Sequence, residues 1–136
     1  MSRSEVLEIL RKYKTENASA KIALHAIASA ASELAAQAGD PRKGEAKQLQ
    51  QALTQLTYAA QQYYWLGKNA QPASLGMTAS QLRELAAPFG DGARVQAAGL
   101  EGAVQELLRR KSAEEELFAK VSFLSSGPRL DNLTFS

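Results

Sequence analysis

The sequence predicts an all-α fold: a long antiparallel helical hairpin completed to a four- or five-helix bundle, with a non-helical C-terminal tail. Three observations lead there. Apolar residues recur at alternating steps of four and three along two long stretches, the 3.5-residue repeat of packed helices. Nine glycines and four prolines in 136 residues leave few positions for the turns of an all-β chain. With 45% apolar and 22% charged residues, the chain has the composition of one that buries a core. Its length suits a single domain, placed at residues 1–126, with an extended tail over residues 127–136.

The first helix is predicted from about Ser4 to Ala38. Val6, Leu10, Tyr13, Ala20, Leu24, Ile27, Ala31, Leu34 and Ala38 form its seam, and Asn17 is the polar interruption. A polar residue at a seam position fixes register or oligomer state in coiled coils. Ser2 and Glu5 make a capping box, and Gly39-Asp40-Pro41 ends the helix. Ten alanines between Ala18 and Ala38 favour helix and let a neighbour approach closely. At 1.5 Å per residue this arm is roughly 50 Å long.

The second helix is predicted from about Glu45 to Gly67, with Leu49, Leu53, Leu56, Ala60 and Tyr63 as seam. A short connection makes it the antiparallel neighbour of the first. It is about two thirds as long, so part of the first arm must be covered by the last helix or by another molecule. Residues 68–77, with Pro72 and Gly76, read as a loop. Thr78 and Gln81 read as a second capping box, opening a short helix that stops at Pro88.

The last helical region is predicted from about Ala93 to Leu124. Gly99 and Gly102 weaken it by roughly 1 kcal/mol each. Its apolar stripe is lost across Arg109-Arg110-Lys111-Ser112-Ala113-Glu114-Glu115-Glu116. As continuous helix, this block contains basic-first i,i+4 pairs, the less favourable order. As a junction, three cations close one helix and Ser112 caps the next, both suited to the helix dipoles. A break or kink is the expectation.

Composition excludes several chemistries. There is no cysteine and one histidine, so disulfides, thiolate catalysis and Cys- or His-rich metal sites are absent. Glu114, Glu115 and Glu116 point to different faces of a helix and make no metal pair. No serine has a His or Lys at a recognised spacing, and neither Gly99–Gly102 nor Gly90–Gly92 carries a phosphate-loop lysine. No catalytic residue, metal or cofactor is expected. A net charge of +2 is too small to hold a polyanion through its overall field. Residues 48–67 are uncharged but include six glutamines, whose amides would be stranded in a bilayer. No membrane partner is expected, and the expected location is cytoplasmic.

The aromatic cluster is the candidate binding feature. Tyr58, Tyr63, Tyr64 and Trp65 lie within eight residues. Tyr63 falls on the seam. Tyr58 and Trp65 are one heptad apart, off the seam, on a flank with Gln51, Gln55 and Gln62. Depleted charge and enriched aromatics mark interface centres, although another helix of the same chain is an equally available cover. The tail offers Leu130, Leu133 and Phe135, spaced for an extended segment and expected to dock in a groove of this bundle or a neighbour. Tyr58, Trp65, Leu130, Leu133 and Phe135 are thus the candidate partner-binding residues.

His25, among small residues outside the seam of a long helix, resembles the phosphate-accepting site of histidine phosphotransfer domains. Those domains carry Lys and Gly three and four residues later, where this chain has Ala28 and Ser29. Trp65-Leu66-Gly67 matches the W-x-G of small secreted helical hairpins, but there it lies between two long helices rather than after the second. No family is assigned from either.

The leading expectation is a non-enzymatic helical interaction, adaptor or assembly subunit, bound to a protein partner or to itself. The alternatives are a phosphotransfer-like signalling protein using His25, and a small helical subunit contacting nucleic-acid phosphates through Arg3, Arg11, Lys12, Lys14 and Arg109–Lys111. Circular dichroism should show well over half helix; a content below about half would contradict the fold, since ordinary domains average about one third.

Overall fold

The computed structural model describes residues 2–40, 42–70 and 72–125. Four helices follow in order: α1 (Arg3–Ala38), α2 (Gly44–Leu66), α3 (Pro72–Ala86) and α4 (Asp91–Ser125). Among the described residues 94% are helical and none forms a strand. Single 3₁₀ turns, Gly67–Asn69 and Ala87–Phe89, follow α2 and α3. Each helix packs on the next, and α4 returns along α1 in the largest contact. The result is a four-helix bundle with antiparallel neighbours.

Local chemistry sets the ends of α1. Ser2 is the N-cap, and its Oγ accepts from the Glu5 amide at 3.2 Å. Gly39, at φ +82°, reverses the chain, a conformation that glycine adopts without a Cβ clash. The Gln50 side-chain amide donates to the Ala35 and Gly39 carbonyls at 3.4 and 3.1 Å. It thereby satisfies carbonyls that α1's last turn leaves without partners and ties α2 to α1.

Gly67 ends α2 at φ +58°, donating its N–H to the Tyr63 carbonyl. A Cβ at this position would overlap the Glu115 carboxylate from α4, so the turn is closed against the last helix. Downstream, the structure corrects the sequence reading. Residues 72–77 are helix, not loop, because Pro72 begins α3 at the position where its missing N–H costs nothing. Thr78 is therefore not a cap; its hydroxyl donates back to the Ser74 carbonyl at 2.8 Å inside the helix. Leu75, Ala79, Leu82 and Ala86, at steps of four, three and four, are α3's buried stripe.

A second correction concerns the charge block. The expected break at residues 109–116 does not occur: α4 is one helix of 35 residues. Its buried stripe is Ala97, Leu100, Val104, Leu107, Lys111 and Glu114. The three-four repeat runs straight through the charges, with Lys111 and Glu114 occupying core positions.

The core is built from Ile27, Leu34, Leu49, Leu56, Leu75, Leu82, Leu100 and Leu107, all fully buried. On α1, small Ala20, Ala23, Ala31 and Ala38 alternate with them and let α4 lie close. Tyr63 is buried, as its seam position predicts. The expected seam fades toward the start of α1, where Val6 and Tyr13 are half-buried and Leu10 is exposed.

Gly99 and Gly102 lie on the open side of α4, and a Cβ at either would meet nothing within 4 Å. Gly99→Ala and Gly102→Ala should each stabilise the protein by about 1 kcal/mol, raising the thermal midpoint by a few degrees. A lowered midpoint in both variants would contradict an uninterrupted α4.

Candidate functional site

The site arises from a difference in helix length. α1 and α4 have 36 and 35 residues, while α2 and α3 have 23 and 15. Where α2 ends and α3 begins, α1 and α4 continue as a two-helix arm. Tyr13 and Phe118 still face each other along it, ring centroids 6.0 Å apart. Phe118 continues the α4 seam in register after Glu114, yet it is 58% exposed, and Leu10 on α1 is 40% exposed. Both are seam residues over which, among the described residues, no helix lies, α2 and α3 having stopped. At the end of α2, Leu66 is 52% and Trp65 78% exposed.

Trp65, Leu66 and Phe118, though not Leu10, border a cleft of about 480 Å³ also lined by Tyr13, Lys111 and Glu114, among others. Trp65 stands edge-on to Tyr64, centroids 5.1 Å apart at 80°, a favoured aromatic geometry. The floor is charged but internally satisfied. Lys111 Nζ lies 3.0 Å from Glu114 Oε1, with side-chain exposures of 8% and 5%. Asn17 donates through Nδ2 to Glu114 Oε2 at 3.2 Å. The ammonium also sits 5.4 Å from the Tyr64 ring centroid, within cation–π range. Burial raises the pKa of the Tyr13 hydroxyl, and the Glu114 carboxylate beside it adds to the shift. Tyr13 therefore stays neutral at ordinary pH.

Asn17 occupies the seam position the sequence marks. Its bond to Glu114 pins α1 against α4 within one chain. Tyr58 and Trp65 are both exposed, so among the described residues no helix covers them. They do not share one cleft, however. Trp65 borders the open end, while Tyr58 lies in the shallow α1–α2 groove with Ala31 and Leu53, its hydroxyl accepting from Gln62. Leu130, Leu133 and Phe135 fall outside the described residues.

Sequence reasoning missed Leu10, Leu66 and Phe118. For Phe118 the signal was the step series Leu107, Lys111, Glu114, Phe118, which carries the seam past the ends of its partners; Leu10 was read as seam but not as a site residue.

Members of both basic clusters are paired with carboxylates. Arg11 pairs with Glu8, Arg109 with Glu106, and Arg110 with both Glu106 and Glu16. Hydrogen bonds from the two arginines hold Glu106 below its ordinary pKa. A groove of about 610 Å³ along the arm mixes Arg11, Lys12 and Lys120 with Glu8, Glu16 and Glu116. Neither arrangement presents a face of one sign to a phosphate backbone. His25 is exposed on α1. Among the described residues no group of three or more His, Asp or Glu side chains is placed to hold a metal ion, and no helix is long and apolar enough to cross a membrane.

No family model, curated protein or solved structure matches this chain.

The buried pair can be tested by substitution. Lys111→Ala strands Glu114 and should destabilise the protein by about 3–5 kcal/mol. Lys111→Met combined with Glu114→Leu removes both charges and should recover most of that loss. Urea unfolding of the three proteins checks this; a double variant no more stable than Lys111→Ala would show that the pair is not the buried unit described.

Proposed function

We propose that the protein is a non-enzymatic helical interaction subunit, an adaptor or assembly component, whose docking surface is the open end of the bundle. The observation that supports this is the uncovered seam: Phe118, at a core position with no helix over it among the described residues, borders one cleft with exposed Trp65 and Leu66, and Leu10 is a second exposed seam residue on α1. A contiguous apolar patch with a polar rim is the usual mark of a protein-binding surface. Aromatic anchors beside a desolvated pocket are where binding energy concentrates. Tyr58 extends the contact along α2 and is a peripheral part of the same reading.

The partner is a protein segment that brings apolar side chains, since the charged floor already satisfies itself. In extract of the native host, the protein should sediment as a species larger than its monomer. Trp65→Ser with Phe118→Ser should return it to monomer size with helix content unchanged. A wild-type protein that is monomeric both purified and in extract would overturn the proposal.

A further inference from the structure

We propose that the outward face of α2 is a second contact surface, on which two copies of this chain pair reversibly about a two-fold axis at Tyr58. This contact is separate from the open end and does not rest on it. Tyr58, peripheral there, is central here.

α2 carries a second seam. Its buried residues Leu49, Leu53, Leu56, Ala60 and Tyr63 follow steps of four, three, four and three. Gln51, Gln55, Tyr58, Gln62 and Trp65 repeat those steps two residues later, and all five are exposed. A helix with two such seams is suited to packing on two sides. A solvated helix face ordinarily carries charge, but residues 48–67 carry none. Tyr58 and Trp65 are instead 62% and 78% exposed. Depleted charge with exposed aromatics is the composition of an interface centre.

Symmetry and charge select a second copy as the occupant. In an antiparallel pair about Tyr58, Gln51 of one copy faces Trp65 of the other, and Thr54 and Gln55 face Gln62 and Gln61. Each glutamine amide offers two donors and an acceptor, so the polar groups find partners with no charge to desolvate. The charges lie beyond the two ends and are opposite in sign. Lys47 stands one turn before Gln51, and the Glu115 carboxylate from α4 lies against Gly67, just past Trp65. The two-fold brings Lys47 of each copy toward Glu115 of the other. A parallel pair would set Lys47 on Lys47 and Glu115 on Glu115.

The face also has a seat for its central side chain. Beside Tyr58 runs the groove of about 480 Å³ walled by Ala28, Ala31 and Leu53, which the second copy's Tyr58 ring enters. α2 is 23 residues long. A strip about 35 Å long and about 12–15 Å wide, one helix and part of its groove, covers on the order of 500 Å² per copy. The pair then buries about 1,000 Å², the low end of specific interfaces. It forms at roughly tens to hundreds of micromolar and is lost at the dilution of an extract.

Purified full-length protein is sedimented from roughly 10 to 500 µM, with circular dichroism followed in parallel. The expected result is a reversible monomer–dimer equilibrium. Tyr58→Glu and Tyr58→Lys each set a charge against its own copy across the axis. Each should weaken the dimer about tenfold or more, with helix content unchanged. An equimolar mixture of the two should restore it, since a carboxylate then meets an ammonium. If either variant loses helix, Tyr58→Cys is read instead. The chain has no other cysteine, so air oxidation should link residue 58 to its symmetry mate well before it links Gln105→Cys, exposed on α4. A wild type that stays monomeric, or grows past the dimer, overturns the two-fold pair. So do charged variants that dimerise like wild type, a mixture that stays monomeric, or a Tyr58→Cys that links no faster than Gln105→Cys.

Discussion

The pairing of α1 with α4 is the constraint on which the rest of the structure depends. At 1.5 Å per residue the two helices are each about 53 Å long, against about 35 Å for α2 and 23 Å for α3. Short connections decide where the shortfall appears. Residues 39–43 join α1 to α2, and residues 87–90 join α3 to α4. Both connections lie at the same end of the bundle. The shorter helices are therefore held flush at that end, and both run out before the other, α3 first and α2 after it. The beginning of α1 and the end of α4 must project, and whatever apolar residues they carry inward lose their cover.

At that boundary the core changes character. Leu107 is fully buried and apolar; one step further along the seam lies Lys111, and the next is Glu114. An unpaired charge here would be severely penalised, but each of these has a partner, and Asn17 supplies a further donor. The directional bonds fix register in a way that leucines do not. Sliding α1 by one turn along α4 would take Asn17 away from Glu114 and leave a buried oxygen short of a donor, a penalty of about 1–3 kcal/mol. Register in turn decides that Tyr13 meets Phe118.

Much of this was legible in the residues. The three-four spacing of α1 and α2 and the caps at Ser2 and Gly39 placed the hairpin to within one residue at each end. The misreadings have identifiable causes. Three cations, a serine and three carboxylates suit a helix junction by dipole arguments, and composition alone does not distinguish that from core charges in one helix. Only the register of Leu107, Lys111, Glu114 and Phe118 separates them. Thr78-x-x-Gln81 has the form of a cap but lies mid-helix, while Pro72 and Leu75 carried the true start of α3. The open face is harder to read. Exposure of Phe118 depends on where α2 and α3 stop, which is a property of three helices compared and of no local motif.

The chemistry of the cleft also restricts what it can hold. Glu114 has both oxygens engaged, and Lys111 is closed off by Glu114 and the Tyr64 ring. A ligand that brings polar groups onto this floor finds few free partners and loses its own hydration, a penalty of about 1–3 kcal/mol for each group left unpaired. An apolar side chain meets no such penalty and gains contact with Trp65, Leu66 and Phe118. If the cleft is the docking site proposed above, the satisfied ion pair would discriminate by exclusion, since specificity grows as much from penalising the wrong ligand as from attracting the right one. On the docking reading proposed above, the same residues that lock α1 to α4 inside the bundle would favour, on their outer side, apolar side chains over charged or amide ones.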